Sequence, residues 1–424
     1  MAEITGEFVA IHERVNDVLL GCIGMLSAEE KIARLEGVAP EEWQAVVQAA
    51  RRHRVSPLLF DKLKALHGAN VVPAKVLVSL REDYLGNAVR NLRLYRELHK
   101  IVTALHAEDI PVIVLKGAFL AELVYRGIAS RTMGDLDLLV PRENLGEAVA
   151  ILNSLGYQPR RSVDIDVALR FSHHLVACVR SGASAPVEIH WNLVRSRDDL
   201  TISPCEFWEH SLPETIGGVQ VRVLCPEHLL LHLCHHIANH HVFELGLRPL
   251  CDIAETLRCY GKTLNWSVVL QRAQQWRSQR GVFLALRLAR DCLSAPVPEA
   301  ILSALCPANF DESHCTTARE QMLCPRSGEA SHGVSSFFTC MWQERRLADK
   351  LGILARRVFL RKIELAYFYN IEPGSLRIYW YYLVRLHDLL RRYSASVFRL
   401  IRGERQFSAF IQRKSALFTW LAEE

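Results

Sequence analysis

The segment Gly134-Asp135-Leu136-Asp137-Leu138-Leu139-Val140 constrains this chain most, because it combines two acids with an apolar strand pattern. Side chains alternate between the faces of a strand, so Asp135 and Asp137 are predicted to share one face while the leucines between them face a core. The strand rise separates the two acids by ~7 Å, which suits carboxylates that hold divalent cations against phosphate. The segment therefore predicts a metal site on one face of a sheet.

A third acid is predicted on a local hairpin. Residues 174–179 and 186–191 are two apolar stretches joined by a loop of small residues, which is typical of paired strands. Val187 and Ile189 would face the core, so Glu188 and His190 are predicted to share the other face. The spacing of the acids suits two cations, and we expect both to be magnesium, because this ion prefers oxygen ligands. The expected metal ligands, which are also the expected catalytic residues, are Asp135, Asp137 and Glu188.

A phosphate-binding turn is predicted upstream. Residues 110–115 indicate a short buried strand, and Gly117 follows where the chain must turn into a helix over 118–126. Backbone N–H groups at a helix start favour an anionic phosphate, and cationic side chains beside them add to this effect. The expected nucleotide-binding residues are Lys116, Gly117, Arg131, Gly134 and His190.

The order of these motifs resembles a known family. Leu-Lys-Gly at 115–117, Arg-x-x-Gly-Asp-x-Asp-Leu-Leu-Val at 131–140 and Glu-x-His-Trp at 188–191 are similar to the uncharacterised bacterial nucleotidyltransferases of the DNA polymerase β-like superfamily, relatives of the abortive-infection nucleotidyltransferases. Stretches upstream and downstream extend the resemblance over most of the chain. It implies magnesium-dependent transfer of a nucleoside monophosphate from an NTP, such as ATP, to an acceptor, with pyrophosphate release. The acceptor class stays open between a small molecule, a glycan, a protein and RNA.

Two alternatives to this enzyme remain open from the sequence. Ala118 follows Gly117 where the broader superfamily usually has serine, so a hydroxyl that could touch the triphosphate is missing. This departure leaves room for a non-catalytic nucleotide-binding scaffold. The second alternative is a toxin-like enzyme that modifies RNA or protein, and the basic C-terminal tail is its one indication.

The periodicity of apolar residues predicts an α+β protein, in which a small mixed-sheet nucleotidyltransferase core is flanked by N- and C-terminal helical regions. Trp43, Val46, Val47 and Ala50 illustrate the helical spacing of the N-terminal part. The predicted organisation is an N-terminal helical region (1–100), the core (101–225), a helical domain (226–324), a linker rich in Ser, Gly and His (325–336) and a basic, aromatic-rich helical tail (337–424).

Charge and composition bear on partners and location. The formal net charge is +5, but residues 341–424 hold sixteen Lys and Arg against eight Asp and Glu, a net charge of +8. Such a tail suits an anionic partner, although a solvated helical face has the same pattern. No apolar run approaches the ~20 residues of a transmembrane helix. The N-terminus lacks the basic start of a secretory signal, and the cysteines are scattered through apolar helices, so a cytoplasmic protein is expected.

Histidines cluster between residues 228 and 241 at spacings that put His232, His236 and His240 on one helical face. Zinc hydrolases use such a spacing, but the intervening glutamate that would act as their base is absent. We expect this helix to pack under the nucleotide site and to lend one or two imidazoles to a substrate. A second Asp-x-Asp, at 164–166, lacks a preceding glycine and is expected to be a charged loop or edge strand.

Overall fold

The computed structural model describes residues 2–160, 165–182, 185–194, 202–323, 352, 355–369, 371–372, 374–402 and 404–423. These residues fall into two compact units. The first unit combines Met1–Arg160 with Ser172–Pro307, and the second combines Arg161–Phe171 with Ala308–Glu424. The linker expected at 325–336 lies outside the described residues, and the domain boundaries expected from the sequence stay predictions.

Helices make up most of the described chain. The α-helices are α1 (Ala2–Ile23), α2 (Ala28–Leu35), α3 (Pro40–Arg52), α4 (Ser56–Lys64), α5 (Ala74–His106), α6 (Lys116–Phe119), α7 (Leu145–Ser154), α8 (Ile165–Phe171), α9 (Pro204–Glu209), α10 (Pro226–His235), α11 (Arg248–Tyr260), α12 (Trp266–Gln275), α13 (Gln279–Leu293), α14 (Glu299–Leu305), α15 (Ser313–Leu323), α16 (Lys362–Tyr369), α17 (Ile378–Ile401) and α18 (Arg405–Ala422). Short 3-10 turns lie at His67–Ala69 and Arg142–Asn144, and π-helical turns lie at Leu120–Val124 and His236–His240.

A mixed sheet lies within the first unit. Its strands are β1 (Ile113–Val114), β2 (Leu136–Leu139), β3 (Gln158–Pro159), β4 (Cys178–Val179), β5 (Val187–His190), β6 (Leu212–Ile216) and β7 (Val219–Val223). Their spatial order is β3-β4-β5-β2-β1-β7-β6. Strand β2 runs antiparallel to β1 and parallel to β5, and β1 runs parallel to β7. The expected α+β class, a small mixed sheet flanked by helices, is confirmed.

The predicted periodicity of the N-terminal helices corresponds to real burial. In α3, Trp43, Val46, Val47 and Ala50 are all buried. Pro40 occupies the first turn, where its missing N–H costs nothing, and the Glu42 carboxylate accepts a hydrogen bond from the Ala39 N–H at 2.8 Å. Burying each large side chain contributes roughly 1.5–3 kcal/mol, so tertiary packing of one face holds this short helix.

The second unit contains a small helical core. Leu365, Ala366 and Ile378 are buried, and Tyr369, Tyr381 and Tyr382 pack against them. The aromatic side chains of the tail therefore differ, since these three tyrosines pack on the core whereas Tyr379 and Trp380 are exposed. Among the described residues, none of the helices combines the length and the apolar character needed to cross a bilayer.

Candidate active site

The parallel pairing of β2 with β5 brings two of the expected acids together. Asp137 lies directly opposite Glu188 in the register of the two strands. Because neighbours in register share a face and side chains two apart on one strand do as well, His190 joins the same face. The intervening Leu138 and Ile189 are buried on the other face. Two segments about fifty residues apart thus form one polar centre.

Three donor atoms in this centre lie close together. His190 Nε2 is 3.1 Å from Asp137 Oδ1 and 3.8 Å from Glu188 Oε2. One ligand atom from each of the three residues lies within 4.8 Å of the others, a spacing that a single cation can bridge. Asp135, which immediately precedes β2, is outside this three-donor group. We call Asp137, Glu188 and His190 the acidic centre.

The acids of this region have different protonation properties. Burial, reinforced by the charges of Asp137 and Asp135, raises the pKa of Glu188 to about 7. Burial and the charge of Asp137 also raise the pKa of Asp135. Burial alone would raise the pKa of Asp137, but Lys116 and the hydrogen bond from His190 outweigh it and hold that pKa well below its usual range. Asp137 is therefore the permanently ionised member.

His190 is the neutral partner of this carboxylate. It is only 2% exposed, and burial lowers its pKa to about 4 despite the attraction of Asp137. A neutral imidazole that donates from Nε2 to Asp137 Oδ1 satisfies both observations. The other ring nitrogen, Nδ1, is buried and has no hydrogen-bond partner among the described residues.

The predicted phosphate turn lies beside the acidic centre. Lys116 Nζ is 3.9 Å from Asp137 Oδ2, and the N–H of Leu115 donates to the carbonyl of Asp137 at 3.0 Å. The left-handed backbone conformation of the turn falls on Lys116, at φ +33°. A Cβ at Gly117 would contact Arg131 Nη1 at 3.4 Å and the Asp135 carbonyl at 3.5 Å, which are ordinary contact distances.

The helix after this turn differs from the expected regular helix over 118–126. Helix α6 spans a single turn and continues into the π-helical turn Leu120–Val124. Such π turns often lie at functional sites. Ala118 is buried, and its carbonyl accepts a hydrogen bond from the Tyr95 hydroxyl at 2.8 Å.

Arg131 was expected to bind nucleotide, but its guanidinium is engaged inside the protein. Its Nε and Nη2 donate to the two carboxylate oxygens of Asp252 at 2.7 and 2.8 Å, and Nη1 donates to the Gly117 carbonyl at 3.3 Å. Tyr125 also donates to Asp252, at 2.8 Å. Burial alone would lower the pKa of Arg131, but Asp252 outweighs it and raises that pKa. Arg131 thus ties the Gly117 turn to α11.

The loop that carries Arg131 is also fixed. Asn87 and Asn91 of α5 donate to the Arg131 carbonyl at 3.1 and 2.8 Å.

Gly134 has space around it, since an added Cβ would only meet Arg54 Nη1 at 3.7 Å. Arg248, at the start of α11, donates to the Thr132 carbonyl at 3.1 Å, and its charge lowers the pKa of Asp135. Sequence reasoning gave Arg248 no role at this site.

Histidines from two further segments line the acidic centre. The ring centroids of His173 and His174 lie 5.7 and 5.0 Å from that of His190. His174 Nδ1 is also 3.8 Å from Glu188 Oε2. The predicted hairpin is present and pairs His174 with His190, so its register was the signal that could have identified His174. We call His173, His174 and the histidines of 232–240 the imidazole wall.

The predicted histidine helix, α10 with its π turn, completes the imidazole wall. The ring of His240 lies 4.9 Å from that of His173 between centroids, with the two ring planes tilted by 46°. Burial, followed by the charge of Lys116, lowers the pKa of His232 and of His236 well below the usual range. His232 is 2% exposed, and neither of its ring nitrogens has a hydrogen-bond partner among the described residues. His232 and His236 are therefore neutral imidazoles.

Comparisons with known proteins give one family and two structures. A family model described as "Uncharacterised nucleotidyltransferase" matches residues 39–294. No curated protein matches the chain. The solution structure of the antibiotic-resistance factor ANT(2'')-Ia is similar at 13% identity over 44% of this chain and 95% of that chain, with a TM-score of 0.33. A crystal structure of ANT(2")-Ia in complex with adenylyl-2"-tobramycin is similar at 18% identity over 44% and 98%, with a TM-score of 0.32.

Proposed function

The chain belongs to the family of uncharacterised nucleotidyltransferases, and we propose that it moves a nucleoside monophosphate from an NTP to a hydroxyl group of an acceptor, with release of pyrophosphate. Family membership supports the class of reaction. The observation that carries the residue assignment is the register of β2 and β5, which sets Asp137 beside Glu188 and His190.

A divalent cation belongs to this proposal, and the chemistry of the donors fits one. The carboxylates of Asp137 and Glu188, which lie opposite each other in the register of β2 and β5, would hold it. When bound, the cation would neutralise phosphate charge and polarise the phosphoryl group that is transferred. Carboxylate oxygens favour Mg²⁺, the ion expected from the sequence, and a second ion would draw on Asp135.

Glu188 is the proposed base. The acceptor oxygen forms a bond to the α-phosphorus, the bond to the departing pyrophosphate breaks, and the proton of the acceptor hydroxyl passes to Glu188. Without a cation the pKa of Glu188 is raised to about 7, and the positive charge of a bound cation would favour the ionised form that accepts the proton. The Glu188 side chain is 26% exposed, whereas those of Asp137 and His190 are only 4% and 2% exposed, so Glu188 is the member of the acidic centre that an acceptor can approach.

Lys116 and Arg248 are the proposed phosphate-binding cations. The positive charges of both side chains oppose the rise in the pKa of Asp135, so both act electrostatically at the start of β2. The expected role of Arg131 is revised in this proposal, because its guanidinium is held by Asp252 and by the Gly117 carbonyl. Arg131 would position the Gly117 turn, and Gly117 and Gly134 would give the nucleotide room beside it.

The imidazole wall is the proposed acceptor side. Burial lowers the pKa of His173 and of His240, so each of these two neutral imidazoles offers one N–H donor and one lone pair, the pattern that a hydroxyl group complements. His173, His174 and His240 lie on the side of the acidic centre where Glu188 would take the proton. This assignment extends the sequence-based expectation that the histidine helix lends imidazoles to a substrate.

The test is pyrophosphate release by the full chain with each of the four NTPs and a divalent cation. Pools of small hydroxylated molecules, glycans, proteins and RNA serve as acceptors, and mass spectrometry detects the added nucleotide. Asp137→Ala is expected to lower the rate by about a thousandfold or more, because the ionised centre is lost. Asp166→Ala, which changes the other Asp-x-Asp, is the control and should keep the wild-type rate.

Two results would contradict the proposal. Equal rates for the wild type and Asp137→Ala would remove the carboxylate from the reaction. Binding of NTP by the wild type without release of pyrophosphate in any pool would favour a nucleotide-binding scaffold.

A further inference from the structure

We propose that His190 is a cation ligand, so that the acidic centre binds Mn²⁺ in preference to Mg²⁺. This inference rests on the proposed function, since it concerns the cation that the transferase would use. It changes the role of His190 from nucleotide contact to metal coordination through Nε2.

The spacing of the three donor atoms supports a shared ion. Adjacent ligands around a cation with bonds of about 2.1 Å lie roughly 3 Å apart. His190 Nε2 is 3.1 Å from Asp137 Oδ1 and 3.8 Å from Glu188 Oε2, so small movements would seat all three atoms on one ion. Strands β2 and β5 fix the backbones of all three residues in one register.

The position of the ring supports coordination by nitrogen. His190 follows Glu188 by two residues on β5, so the strand itself directs the imidazole to the face of the carboxylates. The ring is 2% exposed, and among the described residues Nδ1 has no hydrogen-bond partner that would prevent it from taking the proton. Coordination through Nε2 moves the ring proton to Nδ1, so the hydrogen bond from Nε2 to Asp137 Oδ1 is replaced by shared coordination of the cation.

The mixed donor set determines which ion is preferred. Mg²⁺ is a hard ion that takes oxygen ligands, whereas imidazole suits the first-row transition ions. Mn²⁺ accepts carboxylate, water and phosphate oxygens in the same way as Mg²⁺ and also accepts imidazole. The two carboxylates of the acidic centre supply two negative charges, which match one divalent cation.

The test measures Mn²⁺ binding to the full chain without nucleotide. Calorimetry is expected to give at least a tenfold tighter dissociation constant for Mn²⁺ than for Mg²⁺. Pulsed electron paramagnetic resonance of the Mn²⁺ complex is expected to detect coupling to a ¹⁴N nucleus. In His190→Asn, whose amide can still donate to Asp137, the coupling should disappear and Mn²⁺ affinity should fall about tenfold or more.

His174→Asn is the matched control, because His174 lies at the same 3.8 Å from Glu188 Oε2 but is not part of the three-donor group. It should keep the coupling and the affinity. Absence of nitrogen coupling in the wild type, or equal affinities for Mn²⁺ and Mg²⁺, would overturn the inference, and neither measurement requires a variant to fold. Nitrogen-coupled Mn²⁺ without pyrophosphate release would support this inference and contradict the transferase proposal.

Discussion

The Arg131–Asp252 pair and the acidic centre are two buried charged groups of the first unit, and they differ in how completely their charges are compensated. Arg131 and Asp252 form two parallel hydrogen bonds, and Tyr125 and the Gly117 carbonyl occupy further positions around them. The acidic centre contains a carboxyl group, that of Glu188, whose pKa is raised by neighbouring negative charge, and one ring nitrogen, His190 Nδ1, without a partner among the described residues. The fully hydrogen-bonded Arg131–Asp252 pair is typical of a structural ion pair, which we call the saturated pair. Uncompensated charge and perturbed pKa values, as in the acidic centre, are typical of a ligand-binding site.

The largest effect on stability is expected from breaking the saturated pair. Asp252→Asn leaves the Arg131 guanidinium buried without its counter-ion, so the free energy of unfolding should fall by about 3–5 kcal/mol. Urea denaturation followed by circular dichroism measures the change. Asp83→Asn is the control, because Asp83 forms a similar two-bond pair with Arg51 at the surface. Asp83→Asn should lower the free energy of unfolding by no more than about 1 kcal/mol. Equal losses for Asp83→Asn and Asp252→Asn would show that burial of the ion pair does not determine its contribution.

In the acidic centre, removal of a charge is expected to raise the free energy of unfolding instead of lowering it. The pKa of Glu188 is raised to about 7 in the folded chain from its ordinary value of 4.5, so the folded state favours the protonated acid. Ionisation of Glu188 therefore destabilises the fold increasingly as pH rises from about 4.5 to about 7. Glu188→Gln removes this cost and should stabilise the cation-free protein by about 1–3 kcal/mol at pH 8.

The stabilisation by Glu188→Gln is expected to depend on pH, which distinguishes a charge effect from a change in packing. Below about pH 4.5 the acid is protonated in both states, so the stabilisation by Glu188→Gln should vanish there. Denaturation in the presence of a chelator at pH 4 and pH 8 measures it, with exposed Glu143→Gln as the control. A loss of stability at pH 8 would mean that Glu188 is compensated in the same way as Asp252.

The smallest effect is expected in the imidazole wall. His232 is buried with both ring nitrogens unpartnered, so His232→Leu removes a desolvation cost and should stabilise the protein by about 1 kcal/mol. His228→Leu is the matched control on α10, because His228 Nε2 is paired with Glu206 Oε1 at 2.9 Å. The control should be destabilised. If His232→Leu instead destabilises the cation-free protein, a buried water satisfies the His232 ring nitrogens in solution. That result would weaken the contrast between the two regions.

The sequence carries the information for the acidic centre because strand alternation is local. Asp137, Glu188 and His190 follow from a period of two residues, and the hairpin follows from its loop of small residues. The partner of Arg131 could not be predicted in this way, because Asp252 lies 121 residues away on a helix with no local signal for the pair. The sequence predicted a turn at Gly117, but it gave no signal that the left-handed conformation of this turn would fall on Lys116, since a non-glycine residue rarely adopts it.

The parallel pairing of β2 with β5 has a consequence for the order of events during synthesis. Asp137 leaves the ribosome about fifty residues before Glu188, and the segment between them contains the crossover that a parallel pair of strands requires. A nascent chain that ends before residue 187 lacks Glu188 and His190, so the proposed cation site can form only after β5 has been synthesised.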